Sequence, residues 1–86
     1  MPKAIGKLLK AMRGNPAGVA FSDAKKVAEH FFGPGRQTGG SHLVFKMPWA
    51  GDPRINLQRG LGGKAKPYQV RQILQALDRL LQERKP

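Results

Sequence analysis

The sequence contains no cysteine, which excludes a disulfide framework and a thiolate metal site. Acid is scarce: 5 Asp and Glu and 2 His lie scattered through the chain, so no metal cage is expected. No long apolar run occurs either. The basic start Met1-Pro2-Lys3-Ala4-Ile5-Gly6-Lys7 leads into none, and neither a signal peptide nor a membrane span is read. A Walker phosphate loop is also missing, because no Gly-Lys-Ser/Thr occurs. These absences point to a chain that stays in a reducing cytoplasm and works without a metal or an organic cofactor.

What is abundant is positive charge. The 86 residues carry 16 Lys and Arg, for a formal net charge of +11. Such an excess costs stability through self-repulsion, so a polyanionic partner is expected. Nucleic acid is the first candidate and an acidic protein the second. An anionic membrane fits less well, because no helical segment joins a basic face to a large aromatic one. The length allows one domain, residues 1–86, with a marginal core and room for only a shallow site.

Residues 3–13 form an amphipathic pattern. Ile5, Leu8, Leu9 and Met12 recur at helical spacing. Lys3, Lys7, Lys10 and Arg13 make a basic stripe, either a solvated face or a phosphate-contacting arm. Gly14-Asn15-Pro16 ends this helix, and residues 1–15 are read as an N-terminal helical extension. Residues 22–32 predict a second helix, with Ser22 as N-cap, Asp23 complementing the dipole, and Ala24, Val27, Ala28 and Phe31 inward. Gly33-Pro34-Gly35 closes it.

The period then shortens to two. Residues 36–38 and 41–47 read as strands around a tight Gly39-Gly40 turn, and residues 54–58 as a third strand. Residues 60–66 read as a flexible basic loop. From Pro67 to about Glu83 a final helix presents Val70, Ile73, Leu74, Leu77 and Leu81 on one side, with Gln69, Gln72, Gln75, Arg79 and Gln82 polar. The order predicts a two-layer α+β domain in which the second and last helices cover one face of an antiparallel meander.

Alternation then decides what the other face carries. If Leu43, Phe45, Ile55 and Leu57 point inward, the open face displays His42, Lys46, Arg54, Asn56 and Gln58. Cations there can neutralise phosphate, while amides reach 2′-hydroxyls or base edges. A histidine titrates near neutral pH and can move protons. RNA brings its own nucleophile, the 2′-hydroxyl, so cleavage needs only proton transfer and charge stabilisation. His42 with Lys46 or Arg54 can supply both; the plainer alternative is an exposed polar strand residue. His30, beside the apolar stripe of its helix, is read as structural. Lys64 and Lys66, ahead of the last helix, make either a phosphate cradle or a solvated linker. Trp49 either stacks on a base or caps the core edge.

From Phe21 to about Leu77 the chain resembles the HicA toxins, the messenger-RNA-cleaving halves of bacterial toxin–antitoxin pairs. The resemblance rests on a leading helix, then Gly40-Ser41-His42 followed by Leu43-Val44-Phe45-Lys46. Next come Arg54-Ile55-Asn56-Leu57, a Gly/Lys loop, and Lys66-Pro67-Tyr68-Gln69-Val70-Arg71-Gln72-Ile73-Leu74 opening the final helix. The resemblance implies a fold like that of double-stranded-RNA-binding domains, with an added N-terminal helix here. It implies a metal-independent endoribonuclease in which His42 is catalytic. It also implies a HicB-type antitoxin that covers the active face and itself contacts DNA. Many members carry a second His where this chain has Leu43, and the first helix and the loop over residues 48–53 look longer than in the smallest members. The expected RNA-binding residues are Ser41, Lys46, Arg54, Asn56, Lys64 and Lys66. The first rival is an RNA-binding module without chemistry on the same face, and the second is a protein-interaction domain for an acidic partner.

Overall fold

Helix α1 (Lys3–Gly14) buries Leu9 and Met12 and leaves Ile5 and Leu8 half-buried. It begins behind Pro2, whose carbonyl accepts the Gly6 N–H at 3.1 Å, and its last turn is closed by the Asn15 N–H on the Ala11 carbonyl at 3.0 Å. The computed structural model describes residues 2–37, 42–49, 51 and 54–83 of the chain. Of the basic stripe, Lys3, Lys7 and Lys10 are exposed. Arg13 is exposed as well, and its Nη2 and Nη1 donate to the two Asp78 carboxylate oxygens at 2.6 and 3.4 Å, which ties α1 to the last helix.

A short 3-10 turn, Pro16–Gly18, leads to α2 (Phe21–Phe32). The helix starts one residue before the sequence expectation, and Ser22 is not its cap. The first acceptor is the Ala20 carbonyl, which takes the Asp23 and Ala24 N–H groups at 3.1 Å each, and no side chain caps this end. Two forces set the earlier start. Ala20 is held in an antiparallel bridge to Lys64. Phe21 continues the Ala24, Val27 and Ala28 stripe by one turn and is buried. Asp23 does lie in the first turn, where the dipole favours an anion.

Three short strands follow: β1 (Arg36–Gln37), β2 (Leu43–Lys46) and β3 (Arg54–Leu57). They form one antiparallel sheet in the order β1-β2-β3. Leu43, Phe45, Ile55 and Leu57 are buried, and α2 packs over β2 while α3 (Pro67–Glu83) packs over β3. Phe45, at 1% exposure, is the largest fully buried side chain. The chain passes so near its ring that a Cβ on Gly35 would sit 2.8 Å from it; only glycine fits there. The result is a small α+β fold, with α1 packed on α2 and on the Pro16–Gly18 turn.

Helix α3 opens with Pro67 in the first turn, and the Lys66 carbonyl accepts from Gln69 and Val70 at 3.0 and 3.1 Å. Its inward face is wider than the sequence stripe. Val70, Ile73, Leu74 and Leu77 are joined by Ala76 and Leu80, while Leu81 is half-buried. Gln69, expected on the polar side, is 3% exposed. Its Oε1 accepts the Gln58 N–H at 2.7 Å and its Nε2 donates to the Tyr68 hydroxyl at 3.4 Å. A buried amide with partners on both ends escapes the cost of an unmet polar group.

The segment 60–66, whose glycines and lysines suggest a flexible loop, is stitched down. Gly60 N–H meets the Lys64 carbonyl at 2.6 Å, and Ala65 N–H meets the Val19 carbonyl at 2.9 Å. Ala65 also bridges Arg59 and is buried. The 3-10 turn Leu61–Gly63 within it needs left-handed backbone at Gly62 (φ 67°) and Gly63 (φ 73°), which glycine adopts without a Cβ clash. Among the described residues, no helix is long and apolar enough to cross a membrane.

Candidate nucleic-acid interface

The free face of the sheet is built by strand alternation. Lys46 pairs directly with Arg54, and Val44 lies between Arg36 on one side and Asn56 on the other. Lys46, Arg54, Arg36 and Asn56 are exposed, and Val44 is half-buried. Pro34, Arg36, Val44, Lys46 and Arg54 line one shallow depression of about 250 Å³. Three cations around one concavity create a field that attracts anions and suits phosphate contacts.

Arg36 is the member that the sequence expectation missed. A tight Gly39-Gly40 turn would set Arg36 opposite Leu43 and point it toward the core. The Gly39-Gly40 turn itself, like Thr38 and Ser41, lies outside the described residues. The register on either side of it is described: Gln37 pairs with Leu43 and Arg36 with Val44. That is a shift of one residue, and a one-residue shift turns a side chain to the opposite face.

His42 is exposed and stands one residue beyond the last paired row, Gln37–Leu43–Leu57. Leu43 points inward, so alternation turns His42 toward the free face. Lys46 is four residues further along the strand, on the order of 13 Å at about 3.3 Å per residue. The Lys46–Arg54 row and His42 therefore lie at opposite ends of β2. Asn56, in the intermediate row, is the nearer of the expected contacts, and half-buried Gln58 follows β3 on the same side. No carboxylate lies among the described residues of this face.

Lys64 and Lys66 are not part of that arrangement. They line a second depression, of about 320 Å³, with Gly60, Leu61 and Pro67 at the entrance to α3. His30 is exposed on α2, its ring edge-on to Phe31 at 4.8 Å. Trp49 packs at the core edge: Phe32 meets it edge-on at 6.5 Å, and the Arg79 guanidinium lies 4.4 Å from its ring centroid. Arg59 caps Phe21 in the same manner at 4.9 Å. Neither cation–π contact was foreseen, since both join segments far apart in sequence.

Among the described residues, no three His, Cys, Asp or Glu side chains come close enough together to hold a metal ion. Comparison with family models, with curated proteins and with solved structures finds no match for this chain.

Proposed function

We propose that this chain is a HicA-type toxin of the double-stranded-RNA-binding-domain-like fold, an endoribonuclease that cleaves messenger RNA. The observation that carries it is the depression lined by exposed Arg36, Lys46 and Arg54 on the sheet, with exposed His42 one residue before β2. The backbone of a single RNA strand would run along this face. His42 takes the proton of a 2′-hydroxyl as that oxygen attacks the adjacent phosphorus. The bond to the 5′-oxygen breaks, and a proton goes to that leaving oxygen, leaving a 2′,3′-cyclic phosphate and a free 5′-hydroxyl. Arg36, Lys46 and Arg54 hold flanking phosphates, Asn56 reaches ribose or a base edge, and Ser41 helps place the scissile linkage. In this reading Lys64 and Lys66 contact the strand away from the scissile bond. The reaction takes place in the cytoplasm and stops when a HicB-type antitoxin covers the face, so that DNA is met only through that partner.

The same exposed cations, Arg36, Lys46 and Arg54, also serve one other reading, an RNA-binding module that does no chemistry. Purified wild type and His42→Ala, incubated with a long single-stranded RNA in EDTA, separate the two. Cleavage by the wild type and none by the variant supports the nuclease. Equal degradation, or none by either, defeats it. Salt-dependent RNA binding without cleavage supports the module.

A further inference from the structure

We propose that the groove between the free edge of β3 and helix α3 is a subsite for one unstacked nucleobase of the RNA strand. This inference rests on the RNA reading above and adds an apolar, aromatic-walled pocket for a base to the polar contacts of the cationic face. The groove has a volume of about 290 Å³, just under the roughly 300–1,000 Å³ of clefts for drug-sized ligands. It suits a single ring system.

Its chemistry is that of a base site. Buried Met47, Ile55 and Ala76 provide an apolar floor for a π-face. Trp49 and Arg79 form the wall, with the guanidinium already laid 4.4 Å from the indole centroid. RNA bases stack readily on aromatic and guanidinium planes, and a planar group held in place loses less freedom on binding. Exposed Gln72 and Gln75 stand at the rim. Each amide offers both a donor and an acceptor, and a base edge can use both where a phosphate uses only the donor. None of the described lining residues is acidic. Arg54 lines both this groove and the cationic depression on the sheet. A strand whose phosphate lies in the depression can therefore turn its next base around the edge of β3 into the groove.

Trp49 is the only tryptophan of the chain, so its emission reports on the groove directly. The test uses full-length His42→Ala protein, which keeps the probe intact, with labelled oligouridine and an abasic ribose-phosphate oligomer of equal length. Anisotropy measures affinity and tryptophan emission measures occupancy. The oligouridine is expected to change Trp49 emission and to bind roughly tenfold tighter than the abasic oligomer. Gln75→Ala and Gln72→Ala, exposed helix positions where alanine favours the fold, should each shrink that gap. Arg79→Lys should shrink it while preserving the salt dependence of binding, because the charge remains and the plane is lost. Equal affinity for both oligomers, or unchanged emission at saturating oligouridine, overturns the base subsite and leaves the RNA reading standing. If neither oligomer binds at low salt, both fall together.

Discussion

The two faces of this sheet are made by the same few strands, yet they meet opposite surroundings. On β2 and β3 the odd-numbered residues Leu43, Phe45, Ile55 and Leu57 are buried under the helices. Of the even-numbered residues, Lys46, Arg54 and Asn56 are exposed and Val44 is half-buried, and exposed His42 directly precedes β2. Removing atoms from the first set leaves a cavity in a close-packed interior. Removing them from the second set changes little in the core. Core and solvent-facing residues are thus separated by side-chain parity, within strands only four residues long.

The widest contrast lies between His42 and Phe45. His42→Ala should lower RNA cleavage by about 10²–10⁴-fold while shifting stability by no more than about 0.5 kcal/mol. Phe45→Ala should cost about 3–5 kcal/mol, read as a lower urea midpoint, and in so small a domain that is a large share of the total. A loss of cleavage by His42→Ala that simply tracks unfolding would erase the distinction. Gln69→Leu comes next, because it strips the Gln58 N–H of its acceptor at the end of β3. The expected cost is about 1–3 kcal/mol, and hydrogen exchange should show faster opening at Gln58 than elsewhere in the sheet.

Arg36→Gln tests whether the free face holds phosphate as a unit. Melting temperature should be unchanged, while the slope of log affinity against log salt falls by about one. An unchanged slope would remove Arg36 from the interface. The smallest effect belongs to the Arg13–Asp78 pair. The hydrogen bond from Arg13 holds the Asp78 carboxyl below its ordinary value. A depressed carboxylate contributes stability above its unfolded pKa, and that contribution is lost as pH falls through the folded one. Both side chains are well exposed, at 43% and 59%, so the pair is worth only about 0.2–1 kcal/mol. Asp78→Asn should accordingly flatten the acid limb of a stability–pH curve slightly, and should loosen α1 without touching the sheet.

Much of this plan was legible in the residues. Helical spacing located α1, α2 and α3 to within a residue or two, because apolar stripes and glycine or proline stops are local signals. Alternation separated Leu43 and Phe45 from His42 and Lys46 for the same reason. Ser22 misled, because a capping side chain is a weak preference and the buried Phe21 together with the Ala20–Lys64 bridge outweighed it. The 60–66 segment misled as well. Its glycines suggested freedom, while its backbone groups find partners at Val19 and Ala20, some forty residues earlier.

The amino-acid sequence by itself determined the excess of positive charge, the order of helices and strands, and the face of each strand on which its apolar residues fall. These are properties of composition and short-range period. Only the tertiary structure decided that Arg36 joins the free face, that Gln69 is an interior residue, and that Trp49, Arg79 and two glutamines border a groove reached from Arg54. Each of these depends on register or on helix-to-sheet packing. They bring together residues far apart in the chain, and no local pattern records such distances.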